Sequence, residues 1–236
     1  MVVHVFVEAI RAPLVCTAGA ATLDEAVRVL DDGEIARMRT LAFEADRLRY
    51  AAAHLLLRRA LTQLQPGREA HAWRFVRGPY DRPVLHPSHP ERVSFSLTHT
   101  AGVVACAVAD ATLEVGIDAE SFTRAAPLEL AAAKFAAAER EWLAVHDGEA
   151  RARAFYELWT LKEAYLKARG LGLALPLDSL TVVPGDPPRI ELAAELHDDA
   201  ARWSLSLRRH ADAVVAIAVG RRTAAQPPPR LVWHLG

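Results

Sequence analysis

Two stretches of the chain carry the same pattern. Residues 93–97 alternate polar and apolar, a polar tip follows at Thr98-His99-Thr100-Ala101-Gly102, and residues 103–109 form an apolar run. Trp203-Ser204-Leu205-Ser206-Leu207, then Arg208 to Asp212, then Ala213 to Val219 repeat that order. Period-two alternation broken by a short polar tip reads as a β-hairpin. Long helical segments at residues 44–64 and 152–169 precede the two hairpins at similar distances. A chain so patterned is restricted to two halves of like design, and the fold expected is α+β with pseudo-symmetric halves. The expected bounds are 1–112 and 113–222, joined near Ala111-Thr112-Leu113. A tail at 223–236 is read as linker-like from its Ala-Gln-Pro-Pro-Pro run.

Residues 2–10 read as a first strand, with a loop at Arg11-Ala12-Pro13. Helical periodicity begins near Leu23 with Thr22 as its cap, resumes from Asp32 to Leu41, and is strongest from Glu44 to Leu64, ended by Pro66-Gly67. Gly78 to Pro83 is a turn by composition. His86 and His89 straddle prolines, which remove the helix that would align a metal-binding pair. In Val115-Gly116-Ile117-Asp118-Ala119-Glu120, alternation points Asp118 and Glu120 to one face, where two carboxylates can share a hard cation such as Mg2+ or simply end a strand. Lys134 to Leu143 reads as one amphipathic helix carrying Glu139.

The net charge of −1 and pI near 6.8 give no global attraction to nucleic acid or a membrane, so any anion site must be local. Cys16 and Cys106 have no metal-type spacing and read as free thiols of a reducing compartment. The N-terminus lacks a signal-peptide pattern, and the apolar runs fall well short of the ~20 residues a spanning helix needs. The expected location is the cytoplasm.

In the helix from Trp159 to Lys167, Leu158, Leu161, Tyr165 and Ala168 share one face, while Trp159, Glu163 and Lys167 recur at every fourth residue on the other. Only three of the 28 basic residues are lysine, and two of these, Lys162 and Lys167, stand here. A compact ammonium suits a point contact with a phosphate oxygen. Glu163 and Lys167 also have the spacing of a surface ion pair, and the helix alone leaves both readings open.

Taken in order, Gly116-x-Asp118-x-Glu120, Phe135-x(3)-Glu139, Trp159-Thr160-x-Lys162-Glu163-Ala164-x-x-Lys167 and Gly170-x-Gly172-Leu173 resemble the surfactin-synthetase-activating type of 4'-phosphopantetheinyl transferase. Arg49, the loop to Pro83 and Phe95 to His99 fall where that family has its earlier motifs, so the resemblance covers roughly residues 34–183. It implies a cleft between the halves that binds coenzyme A and Mg2+. The implied reaction moves the phosphopantetheine arm to a serine of an apo acyl or peptidyl carrier protein, within a monomer. Carried over by position, Asp118, Glu120 and Glu163 would hold Mg2+. Glu163 or a water on the metal would deprotonate the serine, with Glu139 ranked below. Lys167 would neutralise the leaving phosphate and Lys162 would steady the same region. Arg49, Arg82, Pro83, Thr98 and His99 would contact the nucleotide.

The sequence departs from the family pattern at Asp81, where glycine is usual, and at Glu34, near a position that is basic in some members. A Mg2+-dependent nucleotide phosphatase and a non-catalytic carrier-binding module are the competing readings.

Overall fold

The apolar runs at 103–109 and 213–219 do not alternate because their strands are covered on both faces. In the computed structural model, which describes residues 1–11, 15–16, 23–78, 82–170, 172 and 175–236, they are β6 (Val103–Asp110) and β11 (Ala213–Gly220). The expectations for Ala12-Pro13, for the Thr22 cap, for Asp81 and for Leu171 and Leu173 lie outside the described residues, as does the side chain of Cys16.

Each run is the central strand of a like-built sheet. In the first half, β1 (Val2–Arg11) pairs antiparallel with β6 and, at its end, with the short β2 (Val15–Cys16), and β6 pairs with β5 (Val93–Thr100). In the second, β7 (Glu114–Ser121) pairs antiparallel with β11, and β11 with β10 (Trp203–His210). The orders β1-β6-β5 and β7-β11-β10 are the same, so the repeat read from the sequence is a repeat of topology. The small hairpins β3 (Phe75–Arg77) with β4 (Pro83–Leu85), and β8 (Leu180–Val183) with β9 (Arg189–Leu192), continue the correspondence.

The two sheets meet face to face. Val3, Val5, Val7, Ala105 and Ala107 of the first pack with Val115, Ile117, Val215 and Ile217 of the second. Helix α3 (Glu44–Leu64) covers the outer face of the first sheet through Ala53, Leu57 and Leu61. Helix α6 (Gly148–Arg169) covers the second through Leu158, Leu161 and Tyr165. The layers run helix, sheet, sheet, helix, an α+β arrangement.

Along the seam between halves, β5 and β7 lie side by side without a backbone ladder. Side chains substitute for it: Ile117 N donates to Ser96 Oγ at 3.2 Å and Ser121 N to Thr100 Oγ1 at 3.1 Å. Buried amides of an edge strand must find acceptors, and the alternating hydroxyls of β5 supply them.

Three local readings are corrected. The segment from Lys134 to Leu143 is two helices, α4 (Leu128–Lys134) and α5 (Ala137–Ala144), because Phe135 is extended so that its ring can enter the core beside Phe155. The tail read as a linker contains β12 (Arg230–Leu235), which pairs parallel with β1 while Leu231 and Trp233 pack on the shared core. Its period-two pattern resumes after the prolines. Helix α6 is buried nearly all round instead of on one face, since α5 and β8 pack on the side opposite β7. Helices α1 (Leu23–Val29) and α2 (Asp32–Arg39) complete the first half.

Candidate active site

Strand β7 and helix α6 approach too closely for any side chain at their crossing. A Cβ on Gly116 would stand 2.0 Å from Ala164 O and 2.3 Å from Ala168 N. Glycine therefore sets the depth at which α6 lies on β7. Two and four residues on, the same face of β7 carries Asp118 and Glu120, and α6 presents Glu163 and Lys167 toward them.

These four side chains form one electrostatic unit. Lys167 Nζ donates to Asp118 Oδ1 at 2.6 Å and to Thr98 Oγ1 at 3.3 Å, and the Thr98 hydroxyl donates to the same Asp118 oxygen at 3.1 Å. Asp118 Oδ2 and Glu163 Oε1 are buried without a hydrogen-bond partner. Burial, and then the charges of Asp118 and Glu120 against the opposing Lys167, raise the Glu163 carboxyl to a pKa of about 7. Glu120 is also raised, by burial and by Asp118, against a hydrogen bond from Trp159.

Two unspent carboxylate oxygens among clustered acids are what a hard cation needs. Among the described residues no three His, Cys, Asp or Glu side chains make a ready metal cage. That is compatible with Mg2+, which is held through one or two carboxylates plus substrate phosphates and water. Asp118 and Glu163, each with an unpartnered buried oxygen, fit that ion, with the Glu120 carboxyl beside them.

Beside this cluster opens a cavity of about 670 Å³, bounded by Glu34, Arg37, Tyr50, His54, Phe75, Arg77, Pro83, His99 and Lys167. Among the described residues its walls come from the first half, and Lys167 alone reaches it from the second. A smaller, mostly apolar cavity of about 190 Å³, lined by Pro83, Phe95, Leu97, Leu166 and Lys167, adjoins it. Partial desolvation at the cavity wall, and then the charges of Lys167, Arg49 and His54, lower the pKa of His99 from the ordinary histidine value, although the residue keeps an exposed edge. At neutral pH it is an uncharged hydrogen-bonding ring.

A profile of the 4'-phosphopantetheinyl transferase superfamily matches residues 114–218. The 4'-phosphopantetheinyl transferase HetI of Nostoc sp. is 31% identical over 204 residues, covering 84% of this chain and 81% of that protein. The chain belongs to the 4'-phosphopantetheinyl transferase superfamily. The 4'-phosphopantetheinyl transferase Sfp of Bacillus subtilis is 36% identical over 109 residues, 46% of each protein. Among solved structures, a holo-[acyl-carrier-protein] synthase from Thermotoga maritima superposes on 47% of this chain and 64% of its own at a TM-score of 0.39 and 23% identity, too loosely to carry weight.

Within this phosphopantetheinyl transferase, Asp118, Glu120, Glu163, Lys167 and Thr98 come together as a group, and Pro83 and His99 border the cavity with Lys167. Arg49 lies close enough to His99 to depress its pKa, and pairs with Asp46 at 2.5 Å. Trp159 stacks with Phe135 and Phe155 and lies near enough to Glu120 to oppose the rise of its pKa, so it serves both the core and a carboxylate.

Lys162 is corrected. Its side chain is fully buried on the far side of α6, where the amine meets Glu139 at 2.8 Å and donates to Leu177 O and Leu180 O. Burial presses its pKa below the ordinary lysine value, with Glu139 opposing. Glu139 in turn accepts from Ala136 N and Val182 N, so it is spent on α5 and β8. Lys162→Met is expected to lower stability by about 3–5 kcal/mol by leaving the Glu139 charge buried alone. Chemical denaturation measures this, and adding Glu139→Leu should recover much of the loss.

Arg82 is corrected as well. One terminal nitrogen donates to Lys167 O at 2.8 Å and Ala168 O at 3.3 Å, the other to Phe95 O at 2.7 Å and Val115 O at 3.0 Å. These four carbonyls belong to both halves, so Arg82 pins the seam and caps α6, and those donors are not available to a nucleotide.

Glu34, which departs from the family pattern, is neutralised. Burial pushes its carboxyl up, but His54 at 2.6 Å and Arg58 outweigh that and hold it below the usual carboxylate range. Its negative charge is thus compensated before any anion arrives. Tyr50 and His54 had no distinguishing sequence pattern beyond the four-residue spacing that stacks them, with ring centroids 4.1 Å apart, on the cavity side of α3.

Proposed function

We propose that this chain moves the 4'-phosphopantetheine arm of coenzyme A to a serine hydroxyl of an apo acyl or peptidyl carrier protein, releasing adenosine 3',5'-bisphosphate. The observation that carries this reading is the cluster of Asp118, Glu120, Glu163 and Lys167 at the border of a cavity wide enough for a nucleotide. Asp118, Glu120 and Glu163 would hold Mg2+, which when bound supplies charge neutralisation at the pyrophosphate. Glu163 takes the serine proton, a role supported by its buried, unpartnered oxygen. Lys167 turns its ammonium to the leaving bisphosphate. Phosphoryl transfer asks mainly for placement and charge neutralisation.

The nucleotide lies in the larger cavity, with Arg37 and Arg77 added to Arg49 as cationic neighbours, and with neutral His99 and the Thr98 hydroxyl as hydrogen-bonding groups. The chain acts as a monomer, since its own two halves build the cleft. It works in the cytoplasm, a reading supported by the free thiol of Cys106 and by the lack, among the described residues, of any helix long and apolar enough to cross a membrane.

Incubation with coenzyme A, Mg2+ and an apo carrier protein is expected to add about 340 Da to the carrier, the mass of the transferred group. Release of inorganic phosphate with an unmodified carrier would indicate a phosphatase instead. Carrier binding without any mass gain would indicate a binding module.

A further inference from the structure

Among the described residues, Lys167 is the one side chain that borders both cavities and also touches the carboxylate cluster. Its ammonium rests on Asp118 Oδ1 at 2.6 Å, held there by Thr98, whose hydroxyl donates to the same oxygen. Asp118 is nearly enclosed, whereas the Lys167 side chain keeps 33% of its exposure. The carboxylate is fixed and the ammonium sits on a flexible four-carbon stem at the cavity wall.

One ammonium cannot satisfy three carboxylates. It leaves Asp118 Oδ2 and Glu163 Oε1 buried and unpartnered. A divalent ion entering between these oxygens would share Asp118 with a positive charge at hydrogen-bond distance, and like charges that close repel strongly in a half-buried site. The ammonium must therefore move, and the open direction is the cavity.

We propose that Lys167 is a resident cation that holds the place of the metal at Asp118 in the free protein and is exchanged for it when the phosphates of coenzyme A offer the ammonium a second anionic seat. The metal and the coenzyme then bind cooperatively, each favouring the lysine position that admits the other. Linkage makes the effect reciprocal. The same residue opposes metal binding in the empty site and supports it in the loaded one. This inference rests on the coenzyme A reading of the cavity.

The test uses the full chain at fixed pH, with Mn2+ as the metal probe and free Mn2+ followed by electron paramagnetic resonance. Wild type, Lys167→Met and Lys167→Ala are compared with and without coenzyme A, after thermal melts show that the variants are folded. Without coenzyme A, both variants are expected to bind Mn2+ more tightly than wild type, by about fivefold or more. With saturating coenzyme A the order should reverse, wild type binding more tightly.

Equal or weaker binding by both variants without coenzyme A overturns the proposal. Tighter binding by the variants under both conditions also overturns it, because that is the behaviour of a fixed repulsive charge. If coenzyme A leaves Mn2+ binding to wild type unchanged, the coenzyme reading of the cavity fails, while the coenzyme-free arm still decides whether Lys167 occupies the metal position.

Discussion

Gly116→Ala is expected to cost more than about 4 kcal/mol of stability, the range reached when a substitution drives one backbone into another. The added methyl would meet Ala164 O at 2.0 Å and Ala168 N at 2.3 Å, and neither is a flexible side-chain end that can turn away. Helix α6 would have to lift from β7. That lift would also draw Lys167 from Asp118 and loosen the grip of Arg82 on the carbonyls of Lys167 and Ala168. Stability and transfer should fall together, read by urea denaturation and by carrier-protein mass. A variant that melts like wild type would mean the crossing has more room than these contacts allow.

Glu163→Gln is expected to separate the two properties. Transfer should drop by about 10²–10⁴-fold, as for loss of a general base or a metal-binding carboxylate. The metal-free protein should become more stable at pH 8 by about 1–3 kcal/mol, after discounting for partial solvent screening. The sign follows from a carboxyl whose folded-state pKa is raised to about 7. Its contribution is fully present below the unfolded pKa and is lost as the pH rises through the folded one. Wild type therefore loses stability from this group between about pH 4.5 and 7, and the glutamine variant does not. The gain should vanish near pH 4 and be complete at pH 8, measured by denaturation at each pH. A gain of the same size at both ends would show that packing, and not charge, is responsible. A stabilising substitution that abolishes activity is the mark of a site kept under electrostatic tension for function.

Much of the arrangement was legible in the residues. The paired hairpins, α3 and α6 follow from periodicity, and Asp118 and Glu120 share a face because strands repeat every two residues. Lys167 reaches the same cluster because it stands one helical turn beyond Glu163. Such relations depend only on the backbone period of the element concerned. A break such as that at Phe135 was not legible, since an aromatic core position 135 can be reached from a helix or from an extended residue, and the fit against Phe155 decides.

The sequence alone determined the two-half plan, the alternating strands, the family motifs and the set of acids that can gather at the seam, because each is local or is a spacing along one element. Only the tertiary structure decided which charges face the cavity. Lys162 and Lys167 share one helix, yet the first turns toward α5 and β8 and is spent on Glu139, while the second meets Asp118 at the cavity wall. Arg82 was equally ambiguous until four carbonyls from both halves closed around it. A charged side chain reads the same in a sequence whether it neutralises a ligand or the protein's own buried groups. What separates the two is the set of partners that distant segments bring within hydrogen-bond distance.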